Sequence, residues 1–345
     1  MKAITLSELV DEYISSARSN GYAEGTMSNI SRGTRGLLET IGNIRVSNIR
    51  PQHIDQYFAA RLSRRVAAGT LNNELIALRG MFAFAIARRY IPATGDPTAH
   101  RRSMRRTPRE FRRLPASMFP TLLNACTHPR DRVFIALGLY LLLRAGEISA
   151  LRVKHVSLDR GYVSAQIFKS AIADEMPIPS ELDHELRHWL TWYAQTAGPL
   201  NPEWYLVPAK HRPQLRAGGG VDIFTPLKPT VKLTHSETIV QRALAEVGIE
   251  PRDASGRPTR EGGHTLRRSA ARALFDRLVE EGGRDGAGRV VQSLLHHSQF
   301  STTERYLGID QDRLRRDHLL KGQAMFPVGP NVIPLEVARG DHQSA

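Results

Sequence analysis

Cysteine is nearly missing: Cys126 stands alone among 345 residues, so no intrachain disulfide can staple the fold. Long apolar runs are missing too. The longest, VFIALGLYLLL from Val133 to Leu143, falls far short of the ~20 residues that span a bilayer. The opening MKAITLSELVDEY lacks the charged-then-apolar pattern of a secretion signal, and no lipid-anchor motif is visible. These absences lead to the expectation of a reducing, cytoplasmic home without a membrane partner. The Gly-rich pieces RAGGGVD and EEGGRDGAGR lack the lysine-serine ending of a phosphate-binding P-loop, and neither follows a strand into a helix as a dinucleotide fingerprint does. Both read as loops. Acidic residues are also in short supply, 34 against 48 basic ones, for a formal net charge of +14. Most of the excess is arginine, whose planar fork grips phosphate oxygens in pairs. A polyanionic partner is expected, nucleic acid before anionic membrane.

What is present divides the chain. With 41% hydrophobic residues, one large core or two medium ones can form. From Thr5 to about Ile91 four apolar stripes recur at helical spacing: Leu6, Leu9, Val10, Tyr13 and Ile14; Met27, Ile30, Leu37, Leu38 and Ile41; Ile54, Tyr57, Phe58 and Leu62; and Leu71, Leu75, Leu78, Met81 and Phe82. Residues 92–114 then carry seven arginines against two acidic residues, broken by prolines and a glycine. Such a run alone is as often a solvated linker as a contact. Between two basic domains it is expected to strap a nucleic-acid backbone, through Arg101, Arg102, Arg105, Arg106, Arg112 and Arg113. Beyond it, GYVSAQIFKSAIADEMPIP over 161–179 alternates about a turn, which predicts a hairpin among helices. The expected fold class is therefore mainly α: a helical domain over 1–98, a basic linker over 99–114, a mixed α/β domain over 115–325, mostly helical with a small antiparallel sheet, and a loose tail over 326–345.

One motif points to zinc. His184-Glu185-Leu186-Arg187-His188 spells H-E-x-x-H, in which two histidines one turn apart hold metal and the glutamate acts as base. At about 100° per residue, Leu182, Leu186, Trp189, Leu190 and Tyr193 share one face and the histidines the other, so the histidines are expected in water. No metal is expected. A different oddity is Arg144, which follows eleven apolar residues without a break. A largely buried helix is expected to carry it, and a buried guanidinium needs an anion. Glu147, three residues on, can hold its fork; read alone, the pair is equally a private salt bridge. His264 and Arg267 repeat the spacing after Gly262 and Gly263, and read alone they belong to a basic surface helix with Arg268 and Arg272. Lys169 is expected at the end of the hairpin's first strand, from which it can dip into a groove.

Near the C-terminus, SLLHHSQFSTTERYLGI sets His296 and His297 after the helical stripe Val290, Val291, Leu294 and Leu295. Ser301 and Glu304 have the spacing of a capping box, which predicts a short helix from about Thr302 with Tyr306 on its second turn. Alone, Tyr306 is as readily a packing residue. Together, these groups describe one reaction. Two arginines neutralise phosphodiester oxygens as charge grows. A tyrosine, with an ordinary pKa of about 10, needs help to lose its proton, and neighbouring histidines supply it. A lysine protonates the departing sugar oxygen. With the bond energy stored on the enzyme, neither metal nor nucleotide cofactor is required.

The ordered set Arg144, Glu147, Lys169, His264-x-x-Arg267, His297 and Tyr306 resembles the tyrosine recombinases, the lambda-type phage integrases and their chromosomal and plasmid relatives. LLLRAGEISALRVKHV is similar to the family's first arginine box, and HTLRR with VVQSLLHHSQFSTTERYL to its second. The resemblance covers most of the chain, with the helical region similar to the family's core-DNA-binding domain. It implies site-specific integration or excision of DNA through a 3′-phosphotyrosine on Tyr306. Arg144 and Arg267 would bind the phosphate, Lys169 would be the general acid, His264 and His297 would handle protons, and Glu147 would support the site. It also implies double-stranded attachment sites, a synaptic tetramer built from monomers or dimers, an accessory directionality factor, a bacterial cell's nucleoid, and a C-terminal helix over DRLRRDHLLKG that docks on a neighbouring subunit. His296 stands where the family usually has glycine, which leaves open which imidazole enters the site; spacing favours His297. The loop over 282–289 lengthens the interval from Arg267 to His297. A separate arm-site-binding module is not expected. Two other readings carry the same charges: an architectural DNA-binding protein, and a type IB-like topoisomerase.

Overall fold

The structure is a computed structural model that describes residues 3–105, 113–168, 172–211, 226–250 and 261–309. The chain divides into two compact units, Met1–Glu110 and Phe111–Ala345. The split falls inside the basic segment. Lys169, Arg106, Arg112, the RAGGGVD piece, the DRLRRDHLLKG helix and the tail over 326–345 lie outside the described residues.

The first unit contains α1 (Leu6–Ser19), α2 (Glu24–Ile41), α3 (Pro51–Ser63) and α4 (Ala68–Ala87). Thr5 starts α1 with a capping box, its hydroxyl accepting from the Glu8 amide while the Glu8 carboxylate accepts from the Thr5 amide at 2.8 Å. The stripes meet in one core around Leu9, Leu37, Ile54, Tyr57, Leu78 and Phe82. Leu62 departs from its predicted stripe: it sits at the fraying end of α3 and is exposed. Glu74 is buried within α4, which is tolerable because Tyr57 donates to it at 2.9 Å and the Arg61 fork at 3.1 and 2.5 Å. Part of the basic segment is folded onto this unit. Arg101 pairs with Asp55 at 2.5 Å and lies over the Phe58 ring, and the Met104 backbone brackets Asn72. Arg102 and Arg105 are exposed.

The second unit runs α5 (Phe119–Asn124), α6 (Pro129–Tyr140), α7 (Ala145–Ala150), β1 (Val156–Ser157), β2 (Tyr162–Ile167), β3 (Ile172–Pro177), α8 (Ser180–Ala197), β4 (Pro208–Lys210), β5 (Leu227–Lys232), α9 (Glu237–Glu246), α10 (Gly263–Gly282), α11 (Arg284–Leu295) and α12 (Phe300–Leu307). The predicted hairpin is β2–β3, antiparallel with Ile167 opposite Ile172, and β1 extends it. A second sheet, β4–β5, forms where only helices are expected from the sequence. Its strands pair across residues distant in sequence, which periodicity cannot reveal. The 282–289 stretch is also not a loop: α10 runs to Gly282, Gly283 turns the chain at φ +88, and α11 begins at Arg284. Within α11, Gly288 leaves room for the Phe300 ring, which lies 2.8 Å from where a Cβ would be. Val291 and Leu295 are buried as their stripe predicts, whereas Val290 is exposed.

The buried run does not carry Arg144 within its helix. Helix α6 stops at Tyr140, Leu142 takes a left-handed φ of +53, and Arg144 becomes the N-cap of α7. The break frees backbone carbonyls inside the core, where Arg267 uses one. On α8, Trp189 donates to the Leu206 carbonyl at 2.9 Å, and His184 and His188 face outward. Glu185 is turned inward and forked by Arg132 at 2.7 Å to each oxygen, so the H-E-x-x-H glutamate serves an ion pair.

At the start of α6, buried His128 caps the helix by accepting from the Arg130 amide and stands edge-on to Trp192. Burial, then Lys210, lowers its pKa to about 4 against the opposing pull of Asp131. Below the ordinary imidazole pKa of about 6.5 the unfolded chain takes up a proton that the folded chain refuses. Stability should therefore fall as pH drops through the window from about 6.5 to about 4, by about 2 kcal/mol between neutral pH and pH ~5. His128→Asn keeps a capping side chain and removes the titration. Urea unfolding at the two pH values checks that the variant loses less stability on acidification.

Candidate active site

Helix α10 opens beside α7: a Cβ on Gly263 would lie 3.7 Å from that of Ala145. This approach brings the two predicted arginine boxes together. Arg144 uses its own amide and its guanidinium on Glu147, at 2.7 and 2.8 Å, while remaining partly exposed. Arg267 is 2% exposed. It donates to the Leu142 carbonyl and, at 2.6 Å, to the Leu295 carbonyl, and its guanidinium lies 4.0 Å from Glu147. Glu147, buried between the two cations, offsets charge that would otherwise repel. Burial, then Arg144, lowers Arg267 to about 10, so it stays cationic at neutral pH.

Arg268 does not lie on a basic surface helix. It is buried and donates to Glu261 at 3.2 Å, and Thr265 donates to the same carboxylate. Arg272 clasps Asp276 and donates to the Leu307 carbonyl at 3.2 Å. Arg113, from the far end of the basic segment, reaches the Tyr306 carbonyl at 3.4 Å. Two arginines thus meet the last carbonyls of α12, where the helix dipole favours cations. Neither contact is visible as a sequence pattern.

Helix α12 starts earlier than the capping-box spacing predicts. Its N-cap is Gln299, and Ser301 is exposed without capping it. Thr303 is buried instead and lies 3.1 Å from His297 Nδ1. This positions the His297 ring edge-on to Tyr306, with centroids 5.4 Å apart. His296 turns the other way, its Nε2 2.9 Å from Asp174 on β3. The Tyr306 hydroxyl donates to the His264 carbonyl at 3.5 Å, the long limit of a hydrogen bond, and interacts with the Arg267 guanidinium. Burial raises the phenol's pKa, while Arg267, Arg268 and Arg144 pull it down. His264 is lowered by desolvation first and by Arg267, Arg268 and Arg144 next, although its residue surface stays exposed. It is thus biased toward neutral imidazole, able to accept a proton. The arrangement gathers a phenol, imidazoles and two arginines held by one carboxylate, which suits a dianionic phosphoryl transition state.

Among the described residues, no group of three His, Cys, Asp or Glu could hold a metal ion, and no helix is long and apolar enough to cross a membrane. Comparison with known proteins points one way. Residues 3–105 match the phage integrase N-terminal domain and residues 112–313 the phage integrase family. The tyrosine recombinase XerD of Xanthomonas campestris is 28% identical over 272 residues, covering 76% of this chain and 74% of its own. XerD of Shewanella oneidensis is 25% identical over 333 residues, 92% and 97% of the two chains. In fold, a lambda integrase dimer bound to a COC′ core site superposes with a TM-score of 0.65 at 15% identity, over 95% of this chain and 81% of that one. A lambda integrase tetramer bound to a Holliday junction gives 0.65 over 88% and 78%, at 15% identity. Neither the architectural nor the topoisomerase reading is favoured by these relatives. With the catalytic-region match spanning more than half of its 345 residues, the chain belongs to the phage integrase family, the site-specific tyrosine recombinases that cut and rejoin DNA.

Proposed function

We propose that Tyr306 attacks a backbone phosphate of an attachment-site duplex, forming a bond from its phenolic oxygen to phosphorus as the bond to the 5′ oxygen breaks. The electron pair leaves with that oxygen, which takes a proton from Lys169. The phenolic proton passes to His264 or His297. Arg144 and Arg267 hold the phosphate oxygens, with Glu147 setting both. Attack by a 5′-hydroxyl from the partner duplex reverses the step and frees Tyr306. What supports this reading is one observation: the Tyr306 hydroxyl meets the His264 carbonyl at the start of the helix that carries Arg267, and Arg267 shares Glu147 with Arg144.

In this reading residues 115–325 form the catalytic domain and residues 1–98 form the helical core-DNA-binding domain. Residues 99–114 link them, contributing Arg102 and Arg105 to the backbone together with Arg101, Arg106, Arg112 and Arg113; Arg101 and Arg113 would exchange their internal partners for phosphate. Recombination proceeds in a tetramer on paired sites in the bacterial cytoplasm, with a directionality factor as a further partner. The test uses a pool of end-labelled nicked duplexes, with strands that depart after cleavage. A denaturant-resistant adduct is expected to form in excess chelator and to map to the peptide containing Tyr306. Binding should weaken steeply with salt, since each neutralised phosphate releases counterions. An adduct on another residue, or one that needs metal, overturns the proposal.

A further inference from the structure

We infer that Thr303 is a positioning residue: its hydroxyl donates to His297 Nδ1, fixes the imidazole as the tautomer with its proton on Nε2, and so makes His297 a hydrogen-bond donor at the phosphate. This rests on the reading of Tyr306 as nucleophile given above, and it decides between the two imidazoles left open there.

The direction of the bond follows from what the hydroxyl can reach. Thr303 is fully buried on α12, and its oxygen lies 3.1 Å from Nδ1. Thr34, Thr40 and Thr196, also within helices, turn their hydroxyls back onto the carbonyl four residues earlier, at 2.8 to 2.9 Å. Thr303 turns away from its own helix, and Nδ1 is its hydroxyl's one partner among the described residues. A hydroxyl that accepted from an Nδ1–H would keep its own proton buried without an acceptor, at a cost of about 1–3 kcal/mol. Donation to a bare Nδ1 avoids that cost. In a neutral imidazole one nitrogen is bare and the other protonated, so the proton sits on Nε2.

The rest of the ring's mounting agrees with this role. Gln292 on α11 accepts from the His297 amide at 3.2 Å and donates its side-chain amide to the His297 carbonyl at 2.9 Å. Thr303 and Tyr306, three residues apart, share a face of α12, so the ring clasped by the first stands edge-on to the second, with centroids 5.4 Å apart. With Nδ1 taken by the hydroxyl and Nε2 protonated, neutral His297 has no lone pair to offer the phenol. It presents an N–H to a phosphoryl oxygen as charge grows there. The phenolic proton is left to His264, whose imidazole is biased toward the neutral form by desolvation first and Arg267 next.

The experiment reads the tautomer directly, from long-range proton–nitrogen correlation spectra of the full chain carrying isotope-labelled histidine, at pH ~8, above the ordinary imidazole pKa. His297→Gln identifies the His297 signals among those of the 13 histidines by their loss. The parent chain is expected to carry its proton on Nε2 beside a bare, hydrogen-bonded Nδ1. Thr303→Ser retains the donor, and should hold that tautomer and cleave within about threefold of the parent rate. Thr303→Val retains the shape and loses the donor. An Nδ1–H form should then appear, and single-turnover cleavage at saturating duplex should slow by about tenfold or more, with duplex affinity within about twofold of the parent. A proton on Nδ1 in the parent chain overturns the inference. So does a valine variant that keeps either the parental tautomer or the parental rate, or a slowing that serine does not rescue. The premise fails separately: a DNA adduct that maps away from Tyr306 removes the reading above, while the spectra still report the Thr303 bond.

Discussion

Tyr306→Phe is expected to eliminate the denaturant-resistant DNA adduct and all recombination while leaving the fold and DNA binding intact. The ring is part of the packing: it lies against the core of the second unit and edge-on to His297. Phenylalanine preserves both contacts. The hydroxyl contributes only a 3.5 Å bond to the His264 carbonyl and its interaction with Arg267, so its removal should cost no more than about 1 kcal/mol of stability. Chemically the expected loss is of another order if Tyr306 is the nucleophile proposed above, since removal of a covalent nucleophile in a preorganised site costs on the order of 10⁶ in rate. Melting temperature, salt-dependent duplex binding and adduct formation, measured on the same preparation, separate the two consequences. A variant that binds and melts like the parent and still traps DNA would place the nucleophile elsewhere.

The parts readable from sequence were those that local periodicity controls. The four N-terminal helices, the β2–β3 hairpin and the outward placement of His184 and His188 follow from spacing alone. The ordered boxes around Arg144 and Arg267 named the groups that α7 and α10 bring together. What escaped was decided between segments. Leu142 leaves the helix because Arg267 takes its carbonyl, a bond across 125 residues. The Ser301 capping box yields because Phe300 docks on Gly288 and Thr303 turns inward to His297. Arg268 is buried because Glu261 and Thr265 receive it.

Arg267→Ala should produce the largest combined loss of stability and activity. The guanidinium fills a buried site between the Leu142 and Leu295 carbonyls, near Glu147. Alanine leaves two carbonyls without their donor and removes one of the two cations that balance a buried carboxylate, a change of the class that costs about 3–5 kcal/mol. In a unit of this size that corresponds to a melting temperature lower by roughly 10 °C. In the proposed role, the transition state also loses a cation at the phosphate, which for phosphoryl transfer is worth roughly 10³–10⁵ in rate. Arg267→Lys distinguishes the two roles. An ammonium keeps the charge but is a single point and cannot span both carbonyls while presenting a flat edge to phosphate. The lysine variant should recover part of the stability and remain slower than the parent by about 10² or more. Thermal melting and single-turnover cleavage of a nicked duplex check both. Parental cleavage by the lysine variant would mean that charge alone suffices at this position, and that the two-carbonyl fork serves the fold rather than the reaction.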